Sequence, residues 1–191
     1  MATSTHGSAI VLPSESFNAE ATLRAVQENA CTALYGVPTM FISELELLAS
    51  GAVPYEGFSQ LRTGIAAGSS IPAALMRKLH DVLGLTQLTI CYGMTETSPV
   101  SAMTTTDDPM WARLETVGKL LPHVEAKVVD LDGKVVAPDV RGELAVAGYL
   151  VMKGYWGDEA RTQEAIRPDE EEKLWMYTGD EASMDQDGYV R

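Results

Sequence analysis

The chain has no apolar run near the roughly 20 residues that a bilayer-spanning helix needs, so no segment reads as a membrane span. It is short of positive charge: 14 Lys and Arg stand against 27 Asp and Glu, for a net charge of −13. Nucleic-acid binding rests on clustered Lys and Arg that neutralise phosphates, and this balance argues against it. An anionic small molecule would have to be met by local positive charge or by backbone N–H groups. Much of the acid sits in Asp169-Glu170-Glu171-Glu172, which reads as a solvated loop. There are only two cysteines, Cys31 and Cys91, each in an apolar strand-like run. They predict buried thiols in a reducing compartment, not a disulfide framework. His6, His80 and His123 are scattered, and no His/Cys cluster has metal-ligand spacing. Met1 to His6 has neither arginine nor an apolar core, so it resembles neither a signal nor a transit peptide. No Walker-type Gly-Lys-Ser occurs.

What is present suffices for one domain with a real core: 191 residues, 46% of them hydrophobic. Ala9 to Leu12 reads as a short strand ended by Pro13. Asn18 can cap a helix from about Ala19 to Asn29, with Leu23 and Val26 on one face. Strands are predicted over 31–35, 61–66 and 88–92, and helices over 38–49 and 72–82, the first of these opened by Pro38. This alternation predicts parallel pairing and a layered α/β fold. Residues 104–113 read as a loop. Beyond it, strands are predicted over 124–130, 134–136, 143–147, 175–177 and 182–184, with hairpin turns at Asp132-Gly133 and Asp187-Gly188 and one helix over 158–166, capped by Asp158. The expected fold class is therefore α/β: an incomplete parallel-sheet layered subdomain over 1–117, then a β-rich, mostly antiparallel subdomain over 118–191.

The most informative stretch is Tyr92-Gly93-Met94-Thr95-Glu96, which follows the apolar run Leu88-Thr89-Ile90-Cys91. It offers an aromatic ring, a flexible glycine, a hydroxyl and a carboxylate together at the C-terminal end of a strand, where open α/β sheets bind ligands. A ring can stack on a base, a threonine can donate to a phosphate oxygen, and a carboxylate can hold Mg²⁺ beside substrate phosphates. The stretch is followed by Gly142-Glu143-Leu144, Gly148, Gly154-Tyr155-Trp156 and Tyr177-Thr178-Gly179-Asp180. In that order and spacing the set resembles the AMP-forming adenylating enzymes: acyl-CoA synthetases, firefly luciferase and the adenylation domains of peptide synthetases. The resemblance runs from about His6 to Arg191. Its nearest flavour is the fatty-acyl-CoA synthetases, on Tyr92 to Pro99 and on the run from Cys31 to Phe41.

The resemblance implies roles. Tyr92 would stack on adenine, with Gly93 and Met94 bringing backbone close to the ligand. Thr95 would bond the α-phosphate and Glu96 would hold Mg²⁺, so these two are the candidate catalytic residues. Ala67, Gly68 and Ser69, continuing into Ser70, would form the adenine-pocket turn, although the usual glycine pair is absent there. Asp180 would accept from the ribose hydroxyls, a role suited to a carboxylate because it takes two bonds at once. Tyr35, Val37 and Thr39 fall where the family lines its acyl pocket, and serve equally as core and helix-start residues. Gly154-Tyr155-Trp156 reads as structural aromatic packing under a turn, and Gly118 with Pro122 as a connection between subdomains.

The resemblance also shows what is missing. The family's Ser/Thr/Gly-rich phosphate loop, its hinge arginine and its C-terminal domain have no counterpart here. The expectation is an internal piece of a larger intracellular enzyme, cytoplasmic, peroxisomal or mitochondrial. That enzyme would use ATP, Mg²⁺ and coenzyme A on a fatty or other aliphatic carboxylic acid and release AMP and pyrophosphate. The isolated chain is expected to be inactive and prone to homo-association through its incomplete sheet or the surface of the missing domain. Two other readings stay open: an adenylation domain that loads an amino or aryl acid onto a carrier protein, and a truncated, non-catalytic nucleotide-binding or interaction protein.

Overall fold

The first long helix starts at the expected cap. In the computed structural model, which describes residues 2–69 and 71–191, a single turn α1 (Ala2–Thr5) precedes helix α2 (Ala19–Asn29). The Asn18 side chain accepts from the Ala21 N–H at 2.9 Å, satisfying one of the donors that every helix start leaves open. Strand β1 (Ala33–Gly36) leads into α3 (Pro38–Ser50), whose proline lies in the first turn, where its missing N–H has no helical partner to lose. Strand β2 (Thr63–Ala66) pairs parallel with β1, Ala33 opposite Thr63 through Gly36 opposite Ala66. Helix α4 (Ala73–Leu83) follows. Helix α2 packs on α3, and α3 on α4. Leu23, Phe41, Leu45, Leu79 and Leu83 are all buried. Full burial of such a side chain contributes roughly 1.5–3 kcal/mol. These elements make a first unit, Met1–Leu88.

Strand β3 (Gln87–Tyr92) carries the chain into a second unit, Thr89–Arg191. There β3 pairs antiparallel with β4 (Ala102–Met103), Tyr92 opposite Ala102. Helix α5 (Met110–Glu115) precedes β5 (Lys119–Leu120), which pairs antiparallel with β4. The rest is a four-stranded antiparallel sheet of β6 (Val124–Val129), β7 (Gly142–Gly148), β8 (Ile166–Pro168) and β9 (Leu174–Ala182), in the order β6-β7-β9-β8. Helix α6 (Glu159–Ala165) stands between β7 and β8, capped by Asp158, which accepts from the Arg161 N–H at 3.0 Å. Strand β7 is buried on both faces. Leu144 and Val146 join Val124, Val128, Leu150 and Val190, while Ala145 and Ala147 pack against Trp175. That split follows from the two-residue period of a strand. Parallel pairing in the α/β part and antiparallel pairing in the β-rich part both follow the sequence signals.

The differences are local. Residues 9–12 form no strand: Ile10 is 56% and Leu12 85% exposed, and no strand among the described residues pairs with them. The expected loop over 104–113 holds α5, whose Ala112 is fully buried. Residues 134–136 make one bridge, Val129 to Val135, and no strand. The strand expected at 175–177 runs on to Ala182 as β9, with a left-handed Gly179 (φ 74°) inside it and an irregular register against β7. Of the strand expected at 182–184 only Ala182 belongs to β9, Met184 making a single bridge to Val190. Cys31 and Cys91 are free thiols, but half-buried. Among the described residues no helix is long and apolar enough to cross a membrane.

Candidate functional site

Strand β3 delivers Tyr92 at its C-terminal end. The Tyr92 carbonyl accepts from the Ser101 N–H at 2.8 Å, and the side chain packs against the core cluster of the second unit. Its hydroxyl donates to Asp180 Oδ2 at 2.6 Å. Burial first, then this bond to a carboxylate, pushes the phenol well above its ordinary range, so it stays a donor at neutral pH. Asp180 is exposed and is set by the irregularity in β9. The Thr178 hydroxyl donates to Leu144 O at 2.9 Å and accepts from the Asp180 N–H at 3.2 Å, and Glu143 accepts from the Gly179 N–H at 3.0 Å. The fold thus joins two side chains that the sequence separates by 88 positions.

After Tyr92 the chain turns within five residues. The Met94 N–H donates to the Thr97 hydroxyl at 3.1 Å, and that hydroxyl donates to Met94 O at 3.2 Å, closing a 3₁₀ turn over Thr95–Thr97. Thr97 is fully buried, Thr95 is exposed and Glu96 is half-buried. Gly93 is required by this turn's own backbone: a Cβ there would lie 1.9 Å from the Pro99 carbonyl oxygen. Backbone against backbone cannot yield as a side chain can. Gly93→Ala is therefore expected to lower stability by about 3 kcal/mol or more, read as a lower denaturation midpoint at unchanged denaturant slope. A midpoint within error of the parent would show that the loop relaxes freely.

Glu96 is held twice. Its carbonyl accepts from the Met152 N–H at 2.8 Å, and its Oε1 accepts from the Tyr155 hydroxyl at 2.8 Å. From sequence, Tyr155 reads as packing only; a tyrosine hydroxyl far along the chain gives no signal of its partner. A cleft of about 610 Å³ in the second unit is lined by Arg141, Glu143, Arg167, Tyr177, Gly179 and Asp180, among others. Arg167 lies over the Tyr177 ring at 4.4 Å, and Arg141 pairs with Glu181 at 2.9 Å. The cleft therefore brings cations beside Asp180 in a chain that is short of them; neither arginine stands out in the sequence. Among the described residues no three His, Cys, Asp or Glu side chains gather as a metal site.

The remaining candidates lie in the first unit. Tyr35 is 59% exposed on β1, Val37 is half-buried at the start of α3, and Thr39 is exposed in its first turn. The Ala67 N–H donates to Gly36 O at 3.3 Å, and Gly68 (φ 88°) lies against Val37, whose Cγ1 would be 3.0 Å from an added Cβ. The turn at Ala67-Gly68-Ser69 and the segment 35–37 therefore sit side by side. Ser70 lies outside the described residues.

Comparison with known proteins matches residues 1–156 to the family described as AMP-binding enzyme. The acyl-CoA ligase sidI of Aspergillus fumigatus is 46% identical over 189 residues, covering 99% of this chain and 32% of the relative. The mitochondrial medium-chain acyl-CoA ligase ACSF2 of Danio rerio is 41% identical over 187 residues, covering 97% of this chain and 30% of the relative. A crystal structure of a long-chain-fatty-acid-CoA ligase (FadD1) from Archaeoglobus fulgidus superposes with a TM-score of 0.83 at 25% identity, over 92% of this chain and 36% of that one. The chain thus spans about a third of the length of the curated relatives it matches.

Proposed function

We propose a function for this chain from one established premise: it belongs to the family of AMP-binding enzymes. Our reading is that it supplies the nucleotide-holding segment of an ATP-dependent acyl-CoA ligase. An enzyme of the relatives' full length would join a carboxylic acid to the α-phosphate of ATP, release pyrophosphate, then pass the acyl group from the adenylate to coenzyme A and release AMP. The observation that carries the reading is the 2.6 Å bond from Tyr92 to Asp180. It couples a ring that can stack on a base to a carboxylate that can bind a diol, so one nucleoside can meet both.

The donor set suits a nucleotide with Mg²⁺. A hard cation that keeps substrate phosphates among its ligands needs only one or two protein carboxylates, and Glu96 has one oxygen beyond the one bonded to Tyr155. Mg²⁺, when bound, supplies positive charge against the phosphate oxygens. Within this reading Tyr92 stacks on the base and Asp180 accepts from the ribose through the lone pairs that Tyr92 leaves free. Thr95, exposed and at the tip of the turn, donates to the α-phosphate as negative charge builds there. Such fixed donors need no reorganisation during reaction. Gly93 and Met94 shape the backbone around the ligand; for the turn at Ala67-Gly68-Ser69 the adenine role, and for Tyr35, Val37 and Thr39 the acyl role, rest on the resemblance alone. The subdivision at residue 118 belongs to the same proposal, as does an intracellular place of action. Likeness to ligases named for medium-chain and long-chain fatty acids favours an aliphatic acid as substrate.

Two measurements on the 191-residue chain test this. AMP binding, followed by ligand-observed NMR, is expected and should vanish in Tyr92→Ala; a chain that ignores AMP refutes the reading. ATP–pyrophosphate exchange with medium-chain and long-chain acids is expected to stay at background, because these residues include no phosphate loop ending in lysine. Robust exchange would show that the segment suffices for adenylation.

A further inference from the structure

Tyr155 stands in a loop that reads as simple packing, yet its backbone, ring and hydroxyl each have a partner. Its N–H donates to the Thr162 hydroxyl at 2.8 Å, and that hydroxyl donates in turn to Asp158 O at 2.8 Å. Its carbonyl accepts from the Asp158 N–H at 3.2 Å. The Arg161 guanidinium lies 5.0 Å over its ring. At Gly154 (φ 150°) an added Cβ would lie 2.7 Å from the Thr162 side chain, so the first turn of α6 presses directly on this backbone. Three residues before Tyr155, the Met152 N–H binds the Glu96 carbonyl at 2.8 Å. One short segment therefore grips Glu96 by its backbone and by its side chain. Among the described residues no other side chain donates to that carboxylate.

We propose that Tyr155 is a positioning residue for Glu96: its hydroxyl holds one carboxylate oxygen and leaves the other for a divalent cation bound with the nucleotide. The inference rests on the nucleotide reading above. A half-buried glutamate without this bond has three freely rotating side-chain torsions. Tied at Oε1, it meets the cation in one orientation, with less conformational freedom left to lose on binding. Helix α6 contributes no buried residue of its own. What it does is fix the tyrosine that fixes the glutamate.

The test is a double-mutant cycle on the 191-residue chain, read by equilibrium dialysis of ATP with Mg²⁺ and with EDTA. The quantity is the ratio of the two affinities, which general loosening of the nucleotide pocket does not move. Tyr155→Phe is expected to lower that ratio roughly tenfold, the effect of one hydrogen bond to a charged group, and to leave the affinity in EDTA unchanged. Glu96→Gln should lower it further, and adding Tyr155→Phe to Glu96→Gln should change nothing more. A Tyr155→Phe ratio equal to the parent's, or the same loss in the Glu96→Gln background, overturns the proposal while the nucleotide reading stands. Loss of the cooperative thermal melt in ligand-free Tyr155→Phe also overturns it, because the hydroxyl then serves the fold. A parent chain whose ATP affinity is the same in Mg²⁺ and EDTA removes the cation role of Glu96, and with it the role of Tyr155.

Discussion

Glu44→Gln is expected to flatten the dependence of stability on pH between about pH 5 and pH 8.5, and to raise the melting temperature at the alkaline end. Glu44 lies in α3 and is 1% exposed, and its Oε2 is buried with no hydrogen-bond partner. Burial pushes its carboxyl up to about 8, from an ordinary value of 4.5. The native state therefore holds this proton more tightly than the unfolded chain does. Its contribution is full below pH 4.5, falls as pH rises, and is gone above pH 8. Each unit of difference is about 1.4 kcal/mol, so the whole interval amounts to about 5 kcal/mol. For a chain of this length that is a drop of about 10 °C or more in melting temperature. Glutamine keeps the shape and cannot ionise. The hydrogen-bonded Asp108, Asp169 and Asp185 have lowered values and act in the opposite sense, in a window below their ordinary 3.8, outside this interval. Thermal melts of both proteins at pH 5, 7 and 8.5 decide the matter; parallel curves would mean that Glu44 reaches solvent when it ionises.

That glutamate also marks the limit of what the sequence states. Local chemistry is readable: Asn18 and Asp158 cap helices, Pro38 opens one, and Asp132-Gly133 turns the chain, with the Asp130 N–H donating to Lys134 O at 2.9 Å. Each of these signals acts over a few residues. Nothing local marks Glu44 as buried, because helical periodicity says which face a residue takes but not what covers that face. Residues 9–12 read as a strand because a short apolar run ended by proline describes a strand without supplying its neighbour. Tyr92, Thr95 and Glu96 are legible as a group because they lie within five residues of one another. The bonds from Tyr92 to Asp180 and from Glu96 to Tyr155 span 88 and 59 positions, and only the folded second unit brings those groups into reach.

Asp180→Ala is expected to weaken AMP binding about a hundredfold. Two effects combine. On the proposed reading the ribose loses a carboxylate acceptor, and hydrogen bonds to a charged group contribute about 1.5–3 kcal/mol each, less where water competes, as it does at this exposed position. Tyr92 also loses the partner of its hydroxyl, so the ring proposed to stack on the base is no longer held in place. A net loss of about 2.7 kcal/mol is a hundredfold in affinity. Tyr92→Phe keeps the ring and removes only the bond, so it should cost about fivefold, and combining it with Asp180→Ala should add little, because the bond is already gone. The ribose share is separable with 2′-deoxy and 3′-deoxy AMP. The parent should discriminate against both, and Asp180→Ala should bind all three nucleotides alike. If Asp180→Ala binds AMP as the parent does, Asp180 serves Tyr92 and the sheet, and the nucleotide reading loses the pairing on which it rests. If discrimination alone disappears while most of the affinity remains, the ring carries the binding and the carboxylate only selects the sugar.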